Sequence, residues 1–556
     1  MRTIPPIAAV PLGLWAGLLA SCGGAPKSQD GEAHAFLTVC IGPRDATWTR
    51  NFNPFHPSAL FPSAGGIYEP LLVFNRVNGT YVPWLASAYS WSTDNTRLTF
   101  EVRPGVKWSD GSSFTARDVV FTFDLLRRHP ALDARRVWEF LSTVKAPTEA
   151  SVEFTFRRAY TPGLVFIGHQ AIVPEHVFKN VADPTTFTNE TPVATGPFTV
   201  VTRFEPGVYE LGRNENYWQP GKPAVAGLRL PALASNEQAI QALVSGQLDW
   251  AGLFVPNVEA TFVAKDPAHN RYWFPPLGNA VALFINTTRK PLGDARVRKA
   301  LSMAIDRPRI VKEAMQGYTV PLDATGLGEV DSRWKDPEAV KAGTWTERNL
   351  DRAGTALDAA GLKRGPDGRR RGPGGELRLT IEVVAGWSDW EAAAHIIAEN
   401  LNEAGVTATV SASEFGTYID RARRGTFDLL VGSIQRGPTP YNFYRGLMAG
   451  EATAPIGELA YENYGRFADK EVDETLRKFE ATNDGATRSI LNHRIQALFV
   501  EHAPGLPLFP GPSWGEYTSR RFTGFPDGGN PYAKLAPHDD PEPLLVLVEV
   551  RPKGGS

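Results

Sequence analysis

The chain has 556 residues, 42% hydrophobic and 11% aromatic, with 58 basic and 60 acidic side chains and a formal net charge of −2. That length corresponds to about three or four domain-sized units, and the apolar content is that of a packed globular protein rather than a disordered one. The balanced charge removes any electrostatic reason to invoke nucleic acid or an acidic membrane surface as a partner.

Arg2 is the single early charge, and the apolar run over residues 7–20 is short for a membrane span. Leu19-Ala20-Ser21-Cys22 follows, then Gly-Gly-Ala-Pro. This resembles the bacterial lipobox, which implies a lipoprotein signal over residues 1–22 and a lipid-modified Cys22; the alternative is an ordinary secretory signal. Residues 23–34 are small and polar, as a flexible tether should be. A lipidated Cys22 cannot pair with Cys40, the other of the two cysteines, so Cys40 is expected as a buried strand residue. Residues 36–39 open the fold as a strand, and ATWTRNFNPFHPSA, residues 46–59, is an aromatic-rich loop.

In residues 68–126, Leu98, Phe100 and Val102 alternate with polar residues as in a half-buried strand. Pro104-Gly105 and Ser109-Asp110-Gly111 are turns, and Thr115 with Asp118 starts a helix whose apolar face is Val119, Val120, Phe123 and Leu126. Val152, Phe154 and Phe156 make another strand. Residues 194–223 predict a hairpin, with Phe198 and Val200 on one strand and Tyr209 and Leu211 on the other. A βαβ unit follows, its helix capped by Ser235 and Gln238, with Ile240 and Leu243 inward and Gly246 at its end. Residues 281–306 give a strand and then a helix capped by Asp294. Leu377, Leu379, Ile381 and Val383 alternate as a strand, and Ser388 with Glu391 starts a helix that ends at Gly405. Val406, Ala408 and Val410, a helix over residues 417–425, and FDLLVG complete a doubly wound α/β pattern, which places ligands at loops beyond the strand ends. Residues 361–376, with three consecutive arginines, read as a solvated hairpin tip. The apolar residues 544–548 are expected as a closing strand.

YEPLL, PWLA, LTFEVRPGVKWSDG and FTARDVVFTFDLL, with VALFINTTRKPLGDARVRKALSMAID further on, resemble solute-binding protein family 5. These are the extracytoplasmic receptors of ABC importers for peptides, oligosaccharides and nickel complexes. The resemblance implies a periplasmic-binding-protein-like α/β fold, α+β in part, with two hinged lobes of mixed sheets and an extra N-terminal subdomain. It implies a discontinuous first lobe over residues 35–67, 190–285 and 513–556, an extra subdomain over 68–189, and a second lobe over 286–512. It also implies a monomer that docks on the transmembrane subunits of a permease, outside the cell membrane and held there only by lipid. The loop at residues 46–59 occupies the position of a loop that enters the cleft.

The chain contains no GxxxxGK[ST], HExxH or CxxC, and its histidines lack metal-ligand spacing. No catalytic residue, cofactor or metal is therefore expected. Distant carboxylates leave glycoside hydrolysis as the remote alternative. Peptide-binding members of the family hold the ligand's amino end with an aspartate shortly after the strand matching FDLLVG. Here that region reads GSIQRGPTPYNFYRG and contains no acid; an ammonium buried without a carboxylate is costly. Gln435, Tyr441, Asn442 and Tyr444 in that stretch mix aromatic faces with amides, a chemistry suited to stacking sugar rings and bonding their hydroxyls. Trp48 and Asn51, Trp250, Asn286, Trp387 and Trp390, and Trp514 show the same mixture at loops and strand ends. TWTRNFNPF, LDWAG and GPTPYNFY further resemble the cello-oligosaccharide-binding branch of the family. A β-linked oligosaccharide is the expected ligand, with a peptide as the alternative. Trp84, Trp91, Trp108 and Trp218 are expected to be packing residues.

Overall fold

The computed structural model describes residues 36–43, 46–434, 436–538 and 541–554. The signal segment, the tether and Cys22 lie outside the described residues, as does Gln435.

The first lobe is a seven-stranded sheet ordered Asn270–Tyr272, Glu516–Thr518, Trp250–Ala251, Phe36–Cys40, Gly227–Pro231, Val208–Arg213 and Phe198–Glu205. Phe36–Cys40 is central and parallel to both neighbours. A parallel strand covered on both faces needs an apolar run, not alternation, and Leu37, Val39 and Cys40 are all buried. Burial pushes the Cys40 thiol up to about 12, which removes thiolate reactivity near neutral pH. Helix Asn236–Val244 makes the expected crossover from Gly227–Pro231 to Trp250–Ala251, with Ser235 accepting the Gln238 N–H. In the hairpin, Phe198, Tyr209 and Leu211 are buried but Val200 is 50% exposed. A register shift between Phe198 and Val200 turns that side chain outward against the simple alternation.

The subdomain is a four-stranded antiparallel sheet ordered Ala86–Trp91, Arg97–Val102, Ser151–Phe156 and Leu141–Thr148. Leu98, Phe100, Val152 and Phe154 are fully buried. Phe154 and helix residue Phe123 meet with ring centroids 4.8 Å apart. That helix, Ala116–Arg128, starts at a full capping box between Thr115 and Asp118. The tyrosine and acid of YEPLL are both internal. Glu69 accepts from Trp84 Nε1 at 2.6 Å, the Tyr217 hydroxyl at 2.9 Å and Trp218 Nε1 at 3.1 Å. Burial pushes its carboxyl up to about 7, against the pull of those donors.

The second lobe is a five-stranded sheet ordered Thr407–Ser413, Arg378–Val384, Leu429–Ile434, Ala280–Ile285 and Gly505–Pro510. The first three strands are parallel, joined by helices Ser388–Glu403 and Phe415–Arg424, and Ala280–Ile285 pairs antiparallel with both Leu429–Ile434 and Gly505–Pro510. Ala280–Ile285 thus pairs inside this sheet, so the first lobe ends several residues before 286. Ser388 is not the helix cap: Trp387 holds that position, and Glu391 instead accepts the Gly386 N–H at 2.8 Å. Residues 544–548 do not form a strand either. Pro543–Leu547 is a short helix buried on every side, the usual ambiguity of a brief apolar run. Nor is the arginine tip wholly solvated, since Arg370 is 4% exposed and donates to the carbonyls of Leu362 and Ala404.

Two strand pairs run from one lobe into the other. Asn270–Tyr272 pairs with Glu516–Thr518 in the first sheet, and Ala280–Ile285 pairs with Gly505–Pro510 in the second. Between them the ribbon continues through Trp273 N–H to Gly515 O, Ser513 N–H to Pro275 O, and Gly278 N–H to Gly511 O at 3.0 Å. A Cβ at residue 278 would lie 2.5 Å from the Gly511 carbonyl oxygen, so only glycine allows this approach. Gly278→Ala is expected to lower stability by about 1–3 kcal/mol in urea denaturation. Gly416→Ala is the control: it lies on the exposed face of Phe415–Arg424, where an added Cβ meets nothing within 4 Å. It should be neutral or stabilising by up to about 1 kcal/mol. Equal stability of Gly278→Ala and the unchanged chain would refute the close packing of the ribbon.

Candidate functional site

The lobes and the ribbon enclose a cavity of about 430 Å³. Its first-lobe wall includes Phe61 and Phe254, its floor Gly278, Gly511 and Trp514, and its second-lobe wall Trp387, Asp389, Trp390 and Phe415. Trp387 and Trp390 both face it although they are three apart in sequence, because Trp387 stands at the helix cap and not within the helix. Their rings meet edge-on at 5.0 Å, and Trp387 is 6.0 Å from Phe415. Trp514 is set by edge contacts to Phe274 at 4.8 Å and Phe254 at 5.6 Å. All three indoles keep part of their surface open.

The lobes touch at the rim of this cavity. Trp387 Nε1 donates to Pro43 O at 3.0 Å, Asn236 N–H to Gly386 O at 3.3 Å, and Asn236 Nδ2 to Ser388 Oγ at 3.0 Å. Asp389 sits among these groups, 5% exposed. Burial pushes its carboxyl up from 3.8 to about 6, opposed by backbone N–H groups at Trp390 and Asp389 and by the Asn236 amide.

A second cavity, of about 400 Å³, adjoins the first at Ser433, which lines both. It lies between the subdomain, through Arg135, Arg136, Phe166 and Gln170, and the second lobe, through Arg423, Asn442, Arg445 and Glu462. One wall of the groove is therefore aromatic and the other end is rich in guanidinium groups.

Of the residues singled out in the sequence, Trp387, Trp390 and Trp514 line the first cavity and Asn442 the second. The others are held away from it. Trp48 donates to Leu230 O at 3.1 Å and meets Tyr209 edge-on. Asn51 braces its own loop, accepting the Asn53 N–H and donating to Ser58 Oγ. Trp250 has no exposed surface and donates to Leu535 O at 2.6 Å. Asn286 donates to the carbonyls of Gly425 and Phe427. Tyr441 is 1% exposed, its hydroxyl on Glu480 Oε1 at 2.6 Å, and Tyr444 bonds Thr325 O at 2.9 Å. Asn51, Trp250, Asn286, Tyr441 and Tyr444 are buried, each with an acceptor within the protein for its N–H or O–H. The loop at 46–59 does reach the groove, through Pro54, Phe55 and Ala59. Asp389 and the arginines carried no signal in the sequence beyond Asp389's place between two tryptophans. Among the described residues no cluster of His, Cys, Asp and Glu could hold a metal ion, and no helix is long and apolar enough to cross a membrane.

Residues 80–454 match the family model for bacterial extracellular solute-binding proteins, family 5. The chain is 26% identical over 533 residues to the nickel-binding periplasmic protein of Escherichia coli, covering 90% of this chain and 94% of that one. It is 27% identical over 478 residues to di/tripeptide-binding protein 2 of Pseudomonas aeruginosa, covering 80% and 84%. The crystal structure of a mannohexaose-bound periplasmic oligopeptide-binding protein from Thermotoga maritima superposes with a TM-score of 0.86 at 25% identity, covering 94% of this chain and 100% of that one.

The raised carboxyl of Asp389 makes a signed prediction. Below 3.8 it is protonated in both folded and unfolded chains; between 3.8 and about 6 only the folded chain holds the proton. Its contribution to stability is therefore full below 3.8 and falls as pH rises through about 6. Asp389→Asn is expected to flatten that part of the stability profile in urea denaturation. An unchanged profile would mean that Asp389 is not held in this environment.

Proposed function

The chain belongs to the bacterial extracellular solute-binding proteins of family 5, and we propose that it captures a β-linked, cellobiose-like oligosaccharide and delivers it to the transmembrane subunits of an ABC permease. The observation that carries this reading is the convergence of Trp387, Trp390 and Trp514 on one interlobe cavity. Their faces suit the C–H patches of sugar rings, while Asp389 and Asn236 suit hydroxyls. That a related structure of the same shape holds mannohexaose supports a sugar as ligand in this fold. Capture is by closure: rim bonds such as Trp387 to Pro43 join the lobes only when they are together.

The second reading is a short peptide. It is favoured by Asp389, a carboxylate in the aromatic cavity that can face an ammonium group, and by the di/tripeptide relative. Calorimetric titration with cello-, xylo- and manno-oligosaccharides against di- to penta-peptides separates the two. Sugar binding with silent peptides is the expected result; tight peptide binding alone overturns the oligosaccharide. Alanine at Trp387, Trp390 or Trp514 should each weaken binding by about 1 kcal/mol or more, and three unchanged affinities would remove the aromatic platform.

The proposal includes a lipid-anchored protein at the periplasmic or outer cell surface, held by Cys22 as a monomer. Cys22→Ser is expected to move it from the membrane to the soluble fraction of a lipoprotein-competent host. A membrane-bound variant would overturn the anchor.

A further inference from the structure

The subdomain meets its two neighbours in different ways. Its apolar core is continuous with that of the first lobe: Phe123, Phe154 and Phe178 belong to one buried cluster with Leu37, Tyr209 and Leu228. The core of the second lobe contains no subdomain residue among those described. Around Glu480, polar groups make the boundary between subdomain and second lobe. Residues 158–161, between strand Ser151–Phe156 and helix Gly163–Gly168, meet the turn that joins helices Lys470–Glu480 and Gly485–His502. Arg158 pairs with Glu480 Oε2, and Thr161 N–H and Oγ1 donate to Glu480 O at 2.7 and 2.9 Å. Arg488 Nη2 donates to Thr161 Oγ1 at 2.5 Å, and Asn483 Nδ2 to Asn95 Oδ1 at 2.7 Å. Tyr160 stacks on Phe140 in one core and Tyr441 on Phe479 in the other, and their hydroxyls meet across the boundary at 3.3 Å.

An apolar core cannot open without exposing its surface to water, whereas hydrogen-bonding groups that separate are rehydrated, so each such bond adds little net stability. The two boundaries of the subdomain therefore differ in permanence. The one with the first lobe is part of folding, while the one at Glu480 can be made and broken as the lobes close and open. None of the residues at the Glu480 face lines either cavity, so the face acts on a solute through the balance between open and closed forms. Glu480 is 1% exposed, and a carboxylate so buried needs partners. Its own lobe supplies the Tyr441 hydroxyl at 2.6 Å, and the subdomain supplies the Arg158 guanidinium. We propose that this face is a closure latch: a polar contact between subdomain and second lobe, remote from the solute, that forms when the receptor closes and sets how tightly the solute is held. The inference rests on the reading of the chain as a solute receptor that closes on its ligand. Glu480 and Thr161 are positioning residues, which hold the closed form without touching the solute.

Thr161 reports on the latch directly, because the acceptor of its N–H lies across the boundary, whereas Val173 N–H donates to Thr122 Oγ1 inside the subdomain. In hydrogen exchange of the ligand-free full chain, read at single amides, Thr161 should exchange about tenfold faster than Val173 or more, each relative to its intrinsic rate. Equal protection would make the face a permanent joint and overturn the latch, whatever the solute. The second measurement is calorimetric titration with cellobiose and with trialanine. Thr161→Ala and Glu480→Gln should each weaken the one that binds about tenfold and leave the urea midpoint of the ligand-free chain unchanged, since the bonds they remove belong to the closed form. Unchanged affinity in both variants, with or without a lower midpoint, overturns the latch and leaves the receptor standing. If neither cellobiose nor trialanine binds, the oligosaccharide and peptide readings are the ones in trouble, and the exchange rate of Thr161 still decides between a face that opens and a permanent joint.

Discussion

The two lobes are joined by a pair of antiparallel strands that cross side by side, and the geometry of the groove depends on that ribbon. Backbone pairing continues from the first sheet into the second through Trp273, Pro275 and Gly278 on one strand and Gly511, Ser513 and Gly515 on the other. Prolines at 275, 276 and 512 supply no N–H, so the ladder thins where the chain leaves each sheet. Glycines at 278 and 511 then let the strands touch, since a Cβ at either would press on a carbonyl oxygen of the other strand. A connection that is paired but thinly bonded can bend without coming apart, as a hinge between rigid lobes requires. Trp514 rides on it, so the floor of the cavity and the joint are one object.

Aromatic side chains divide into two classes by the fate of their polar ends. Trp250, Trp84, Trp218, Tyr441 and Tyr444 each spend an N–H or O–H on an internal acceptor and belong to the core. Trp390 and Trp514 have ring neighbours and open surface but are fixed by packing, and Trp387 spends its N–H across the lobe boundary. A tryptophan whose indole N–H bridges two lobes is a different object from one buried within a lobe. The first ties one lobe to the other, while the second belongs to the core of its own lobe. The same sorting applies to charge: Glu69 is enclosed by donors from one lobe and its subdomain, whereas Asp389 stands at the rim where the lobes meet.

Much of the architecture was legible because it is local. The alternation of Leu98, Phe100 and Val102, the capping box at Thr115 and Asp118, and the helix ending at Gly425 all follow from side-chain period and capping chemistry. Where local rules failed, a longer-range fact intervened. Residues 544–548 became a helix because a short run buried on every side has no period to read. Val200 turned outward because a bulge broke the alternation. The strand Ala280–Ile285 joined the second sheet because its partners, Leu429–Ile434 and Gly505–Pro510, come from far along the chain.

By itself the sequence determined the family, the scaffold segments and the presence of an aromatic-rich, acid-poor region beyond the strand Leu429–Ile434. Those are properties of contiguous residues, where pattern and chemistry coincide. Only the tertiary structure decided which aromatic rings face the groove. It set Trp250, Tyr441 and Tyr444 in the interior and Trp387, Trp390 and Trp514 on the cavity wall. It also brought Arg135 and Arg136 to Arg423 and Arg445 across the boundary between subdomain and second lobe. The reason is physical: a cavity is defined by residues distant in sequence, and whether a tryptophan is core or platform depends on where its N–H finds an acceptor.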